Sequence, residues 1–471
     1  MVDFDGTLIA SDSLVESLVA LLKRQPWCVL LLPVWALKGK VALKAEIAKR
    51  VHLRVETLPY RADLIDHLRA EREAGRMLVL ATAAHHSIAD AVAAHLKIFD
   101  DVLATDGQIN TKGTAKRDAL VERFGMRGFD YIGDHRADVP VWGASRVAHV
   151  AGGRRGLPEL AHRAGASLGQ PFVSAGPGLR IWLRAIRVHQ WVKNLLLFVP
   201  MVMAHRLDAR TALTVAAGFL AFSLLASGTY LINDLLDLDA DRKHPSKRSR
   251  PFASGQIPLT QGIVAALLLI VAGFGLGTIL GTRPLVYLLL YFVVTIAYSL
   301  RLKYHPILDV VALAFLYTLR ILAGGAAADV RISQWLFQFS VFLFLSLALV
   351  KRYSELHRIQ TEGDGDRSAR GYRPADLTIV SQFGICAGLI AGLVLALYVN
   401  GPDVQLLYPK PHVLWAVCPV FVYWIVRVWL IAGRGGMNED PILFAFRDRT
   451  SYLAGLAILI VMFLAMLPHV S

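Results

Sequence analysis

The chain has 471 residues, 55% of them hydrophobic and only 18% charged, with a mean hydropathy of +0.48, which excludes an ordinary soluble fold for the whole of it. The formal charge of +14 is not interleaved with base-stacking aromatics, so loop charges that orient membrane helices explain it and no nucleic-acid partner is expected. Cys28, Cys386 and Cys418 lie far apart without metal spacing, which excludes a disulfide framework and a zinc site.

The chain opens MVDFDGTLIASDS, acidic and turn-forming where a secretory leader would be basic and then apolar. Up to about residue 165, short apolar runs alternate with charged ones, as in a soluble domain. Asp3 and Asp5 stand two apart before Gly6 and Thr7, a spacing that gives one carboxylate to attack phosphorus and a second to shuttle the proton. MLVLATAA then reads as a buried strand ending at Thr82, TKGTAKRDAL places Lys116 at a helix start, and FDYIGDHRADVPVW ends a strand at Asp134 and Asp138. These four elements in this order resemble the haloacid dehalogenase superfamily of phosphohydrolases, over residues 1–165. The resemblance implies an α/β Rossmann-like fold with a helical cap at 11–75. It makes Asp3 the nucleophile and Asp5 the general acid/base, with Thr82 and Lys116 holding phosphate and Mg²⁺ bound by Asp3, Asp134 and Asp138.

Two features of this region leave alternatives open. Only Met1 and Val2 precede Asp3, against about five residues in an ordinary strand. Either the start is set too late or the strand is truncated, and truncation would weaken the hydrolase or leave a scaffold. The apolar run WCVLLLPVWAL at 27–37 is too short to span and is broken by Pro33, so it either packs in the core or rests on a membrane surface. Residues 167–178, SLGQPFVSAGPG, read as a linker, giving an expected division into 1–165, 166–179 and 180–471.

Beyond residue 180, apolar runs of roughly 20 residues recur, the length that crosses a hydrocarbon core. Nine spans are expected, centred near 198, 222, 270, 292, 317, 343, 388, 422 and 460. Lys and Arg, among them Lys351, Arg352 and Arg367, concentrate in alternate loops, placing the N-terminus in the cytoplasm and the C-terminus on the far side. That bias does not explain the acids of NDLLDLDADRKHPSKRSRPFASG, residues 233–255. Asn233, Asp234, Asp237 and Asp241 share one helix face if the helix continues past the membrane edge. They suit a divalent cation with oxygen ligands, Mg²⁺, which in turn captures a diphosphate; the alternative is a solvated helix end. Lys247, Arg248 and Arg250 downstream suit phosphate oxygens. Asp309 and Arg320 should face a bundle interior, either as an internal pair or as part of a site.

The pattern N-D-x-x-D-x-x-x-D with nine spans resembles the UbiA superfamily of intramembrane polyprenyl transferases, over residues 180–471. The resemblance implies an all-α polytopic bundle in a bacterial cytoplasmic membrane, with Asp234, Asp237 and Asp241 as its catalytic acids. Aromatic-prenylating members usually carry a second Asp-rich motif; here the equivalent loop reads LVKRYSELHRIQ, with Glu355 beside Lys351 and Arg352. Together with HQWVKNLLL at 189–197, HPSKRSRPFASG and LDVVALAFLYTLRILAGGAA, this loop is similar to the decaprenyl-phosphate phosphoribosyltransferase branch. That branch implies phosphoribosyl diphosphate as donor and a polyprenyl phosphate lipid as acceptor. Lys193, Asn194, Lys247, Arg250, Lys351, Arg352 and Glu355 would bind substrate, and a homo-oligomer is compatible with the pattern. A prenyl transferase acting on an aromatic or quinone-precursor acceptor is the alternative. A channel or transporter is disfavoured because charges cluster at one membrane face, not at the midplane.

Overall fold

The computed structural model describes residues 1–105, 113–153, 156–172, 176–362, 370–437 and 440–468, and Arg367 lies outside them. Two compact units result: residues 1–186 with 230–267, and residues 187–229 with 268–471. Compactness therefore does not follow chain order, because the segment carrying the acidic motif packs with the N-terminal module.

In the first unit, four helices precede the first regular strand: α1 (Ser13–Arg24), α2 (Leu32–Leu37), α3 (Lys40–Ala48) and α4 (Ala62–Glu73). Helix α1 is well specified locally. Asp12 caps it by accepting from the Leu14 and Val15 amides, Glu16 sits in its first turn, and Lys23 and Arg24 sit in its last, each complementing the helix dipole. The order then runs β1 (Val79–His85), α5 (His86–Leu96), β2 (Asp101–Thr105), α6 (Thr114–Phe124) and β3 (Tyr131–Gly133). It continues with α7 (Val139–Ala144), β4 (Val147–Val150), α8 (Leu157–Arg163) and β5 (Ser167–Leu168), and α9 (Leu179–Ala185) ends the contiguous stretch.

The strands are parallel, β1 beside β2 and β4 between β3 and β5, and Val2 bridges Leu80 on one side and Ile132 on the other. The short first strand thus still makes ladder bonds to both neighbours. The Val2 amide donates to Val79 O at 3.0 Å and the Asp3 amide to Ile132 O at 2.9 Å. Asp3 follows directly, at the carboxyl end of the central strand, where the sheet order reverses and α/β folds place their ligands. Apolar side chains cover both faces, with Phe4, Leu80, Ile132 and Phe172 in one cluster and Leu120, Tyr131 and Trp142 in another.

Two expectations are corrected in this unit. The stretch from 167, read as a linker, begins inside the sheet: β5 pairs with β4, and buried Phe172 bridges Ala151 and packs on His67 at 5.1 Å. Core packing of the 27–37 run holds for Cys28 and Trp35, with Leu31 and Leu32 partly buried against the same cluster. Trp27, Leu30, Val34 and Leu37 are exposed, Leu37 by 89%, because Pro33 divides the run and only one side meets the cap's own cluster with Leu21, Ile47 and Val51.

Among the described residues, eight helices are long and apolar enough to cross a membrane, against the nine expected. They are α11 (Ala209–Leu236), α13 (Leu259–Leu280), α14 (Thr282–Leu300), α15 (Leu308–Ala328), α16 (Gln334–Glu362), α17 (Leu377–Val399), α19 (Val417–Gly433) and α21 (Arg449–Met466). The shorter α10 (Val199–Met203), α12 (Leu238–Lys243), α18 (Pro402–Leu407) and α20 (Pro441–Ala445) complete the chain. The span expected at 198 is instead a 3₁₀ segment, Val188–Phe198, followed by α10. Arg187 at φ 54° and Pro200 in the first turn of α10 interrupt a continuous helix.

Within the second unit α15 is central: 67% of its apolar window is buried, against 11% for α21, whose Leu453, Leu456 and Phe463 face outward. Small side chains allow this, as Ala323, Gly324, Ala327 and Ala328 let neighbours approach its backbone. A Cβ on Gly324 would lie 2.1 Å from the Leu197 carbonyl oxygen. Gly324→Ala should therefore lower stability by about 1–3 kcal/mol, read as a fall in Tm in detergent, because backbone cannot yield as a flexible side chain would.

Candidate functional sites

At the carboxyl edge of the sheet, Asp3, Asp134 and Asp138 each offer an oxygen within 4.8 Å of the others, and among the described residues this is the acidic group so gathered. An all-carboxylate donor set of this size fits a hard divalent cation. Lys116, 2% exposed, reaches Asp3 Oδ1 at 3.0 Å and the Tyr131 hydroxyl at 2.8 Å, and that hydroxyl donates to Asp138 at 3.0 Å. Burial and the charge of Asp3 raise the Asp138 carboxyl to about 6 against the pull of Lys116. Asp5 accepts from the Ser13 amide at 2.6 Å and its hydroxyl at 3.1 Å, at the start of α1. Burial, then the neighbouring Asp12, pushes its carboxyl up to about 7, suited to giving and taking a proton near neutrality. Thr82 is fully buried, and its hydroxyl accepts from the Ala84 amide; Ala83 is the residue of that strand that lines the cavity.

That cavity measures 690 Å³ and holds Asp3, Asp5, Lys116, Asp134 and Asp138. Lys44 and Arg61, which sequence reasoning missed, also line it. Lys44 donates to Ala83 O at 2.7 Å and Arg61 to Gly6 O at 3.2 Å. Residues 255–261 contribute a further part of the lining.

The acidic motif lies in the same unit. Helix α11 ends at Leu236 and α12 begins at Leu238, so the helix is interrupted at Asp237, although Asp237 and Asp241 keep i→i−4 bonds. The four motif residues therefore do not run along one unbroken helix face. Arg250 spans Asp234 at 3.1 Å and Asp241 at 2.6 Å, while Asp237 pairs with Lys23 at 3.6 Å. Arg242 grips Glu16 with two nitrogens at 3.1 and 2.6 Å, both side chains nearly fully buried. The carboxylates and the Asn233 amide oxygen are suitable donors for a hard cation, and in this arrangement Arg250 pairs with Asp234 and Asp241 and Lys23 with Asp237.

In the second unit, Lys193 and Lys351 converge on Asp440 Oδ2 at 2.8 and 3.1 Å, with the Tyr317 hydroxyl at 3.3 Å from both carboxylate oxygens. Burial opposes ionisation of Asp440, but Lys351 and Lys193 overcome it and hold the carboxyl well below its usual range. Asp440 was not singled out in the sequence. Its one local signal is Pro441 behind it, with its side chain capping α20 through the Ile442 amide. Asn194 is structural, donating to Ser223 at 2.9 Å and accepting from Arg320 at 2.8 Å. Arg352, fully buried, binds Asp309 at 2.5 Å and also Glu355, so Arg352 does not stand open to substrate, while Glu355 keeps part of its side chain exposed. The internal pair Asp309–Arg320 does not form. Eleven residues along one helix separate them by about 16 Å. Asp309 takes Arg352 and the Tyr372 hydroxyl instead, while Arg320 takes Asn194, Leu316 O and Tyr291.

With this geometry in place, comparison with known proteins defines the class. Residues 195–449 match the UbiA prenyltransferase family and residues 1–142 match haloacid dehalogenase-like hydrolase. The chain belongs to the UbiA prenyltransferase family and carries a haloacid dehalogenase-like domain at its N-terminus; it is an integral membrane transferase. An uncharacterized protein, y4nM of Sinorhizobium fredii, is 38% identical over 457 residues, 96% of this chain and 88% of that one. Nodulation protein NoeC of Azorhizobium caulinodans is 36% identical over 59% of this chain and 91% of its own length. A decaprenyl-phosphate phosphoribosyltransferase of Mycolicibacterium smegmatis is 32% identical over 58% of this chain and 89% of its own.

Asp440→Asn leaves two lysines, one of them buried, without their counter-charge. We expect a loss of about 3–5 kcal/mol, read as a lower Tm in detergent, with Asp309→Asn comparable because Arg352 is wholly enclosed.

Proposed function

We propose that this protein transfers 5-phosphoribose from phosphoribosyl diphosphate to a polyprenyl phosphate, and that its N-terminal domain removes the 5-phosphate of the product. The observation that carries the reading is the pair of lysines, Lys193 and Lys351, sharing the single acid Asp440. A net positive centre suits a donor bearing a 5-phosphate besides its diphosphate, and the stretch around Lys351, which is the end of helix α16, lacks the second Asp-rich run of aromatic-prenylating relatives. The 32% identity to a decaprenyl-phosphate phosphoribosyltransferase supports the same choice.

In transfer, a phosphate oxygen of the acceptor bonds to the anomeric carbon as the bond from that carbon to the diphosphate breaks, the electron pair leaving with the diphosphate. The acceptor phosphate is already ionised, so no general base is required. Asn233, Asp234, Asp237 and Asp241 would hold Mg²⁺, which supplies charge neutralisation of the diphosphate, while Lys247 and Arg250 bind its oxygens. In hydrolysis, Asp3 attacks phosphorus, Asp5 protonates the leaving alcohol and then activates water, and Lys116 holds the phosphoryl oxygens. Asp3, Asp134 and Asp138 would hold the second Mg²⁺. The N-terminal domain lies in the cytosol of a bacterial cell.

Purified protein in detergent, given Mg²⁺, labelled phosphoribosyl diphosphate and a polyprenyl phosphate, should carry label into the lipid phase, and Asp234→Ala should cut this by about 100-fold or more. Transfer from a prenyl diphosphate to an aromatic acid, with no lipid label, would replace the reading. Release of phosphate from the labelled lipid should stop on chelation of Mg²⁺ and in Asp3→Asn; undiminished release in Asp3→Asn would remove the N-terminal domain from the scheme.

A further inference from the structure

The cavity above Asp3 is larger than phosphoryl chemistry requires. Its 690 Å³ lies in the range that encloses a whole small molecule, so space remains for the alcohol half of a phosphomonoester. Part of its lining comes from outside the hydrolase sequence: Gly255, Gln256, Pro258, Leu259, Thr260 and Gln261. Three of these present an amide or a hydroxyl, and Gln256, Thr260 and Gln261 are all exposed, whereas the adjoining Ile257 and Leu259 are buried.

Three contacts fix this segment where it is. Upstream, Arg242 is clamped to Glu16 and also donates to Ala253 O at 3.2 Å, tying the start of the loop to α1. At Gly255, φ +72°, an added Cβ would lie 2.8 Å from the Ala10 Cβ and 3.1 Å from the Ala10 carbonyl oxygen, so only glycine permits so close an approach. Arg184 holds the Gln256 carbonyl at 2.8 Å, which leaves the amide nitrogen as the donor Gln256 presents. Leu259 begins α13, a membrane-crossing helix, so this lining sits where the chain enters the bilayer.

From these placements we infer that residues 256–261 form the subsite for the alcohol half of the hydrolase substrate, and that this half is a hydroxyl-bearing sugar carried on a lipid. The inference rests on the hydrolase reading of Asp3 and adds the group that selects its substrate. Amides and a hydroxyl match sugar hydroxyls, and a substrate anchored in the bilayer reaches a lining made at the membrane edge.

The test compares three phosphomonoesters with the full-length protein in detergent: p-nitrophenyl phosphate, ribose 5-phosphate and lipid-linked phosphoribose. In Thr260→Val and Gln261→Leu, kcat/KM for ribose 5-phosphate should fall about tenfold further than for p-nitrophenyl phosphate, the size of one lost hydrogen bond. Gly255→Val, which drives the segment off Ala10, should produce the same discrimination without touching a donor. Wild type should also show a lower KM for the lipid-linked ester than for ribose 5-phosphate. Equal losses on both soluble esters, or none, would overturn the subsite. Discrimination retained with the lipid-linked ester left intact would overturn the lipid carrier, and with it product dephosphorylation, while the sugar subsite stands. Failure to hydrolyse any of the three would overturn the hydrolase reading and the subsite together.

Discussion

The buried pair between Glu16 and Arg242 joins two stretches of chain 226 residues apart, and much of the first unit is arranged around it. Glu16 belongs to a helix whose first residue, Ser13, holds Asp5 and whose Lys23 reaches Asp237. Arg242 adjoins Asp241 of the acidic motif. Enclosing both charges is costly, and the pair is tolerable because its geometry is bidentate and the Ser11 hydroxyl donates to Glu16 at 2.5 Å. Desolvation makes the tie intolerant of losing either partner. The hydrolase acid and the diphosphate motif are thereby held through one short helix.

A second constraint governs the membrane bundle: every buried charge needs a partner of opposite sign or several hydrogen bonds. Arg352 pairs in charge with Asp309 and Glu355, Arg320 is held by Asn194, Tyr291 and a backbone carbonyl, and Lys193 shares Asp440 with Lys351. Most of the cations expected to meet phosphate are thus already engaged. Anion binding there would proceed by exchange, phosphate oxygens replacing carboxylate ones. Lys193 and Lys351 are better placed for such exchange than Arg352, which has no exposed surface.

What could be read from the sequence was local. The hydrolase elements announce themselves by short spacings, although β1 runs past its expected end at Thr82 to His85, and apolar length alone gives, among the described residues, eight of nine expected spans. Partnerships between distant residues were not legible. Asp440 acquires meaning only when Lys193, 247 positions away, arrives beside it, and Asp309 finds Arg352 because its own helix carries Arg320 too far along the axis. The span at 198 failed for a different reason: composition counts apolar residues but not the torsional breaks at Arg187 and Pro200. The strand leading to Asp3 was the converse case. It looked too short by length, yet one residue, Val2, bridges both neighbours because the adjoining strands supply the frame.

The outward-facing side chains of the cap set a practical boundary on the protein. Trp27, Leu30, Val34 and Leu37 sit beside Lys23, Arg24 and Lys38, a mixture of greasy and basic groups that is comfortable against acidic headgroups and uncomfortable in water. Cutting the chain after the hydrolase fold would also strip Glu16 of Arg242, leaving its carboxylate with the Ser11 hydroxyl but without its counter-charge. A fragment made this way would be sticky on one side and destabilised on another. The two halves of the chain are best regarded as a single unit for expression.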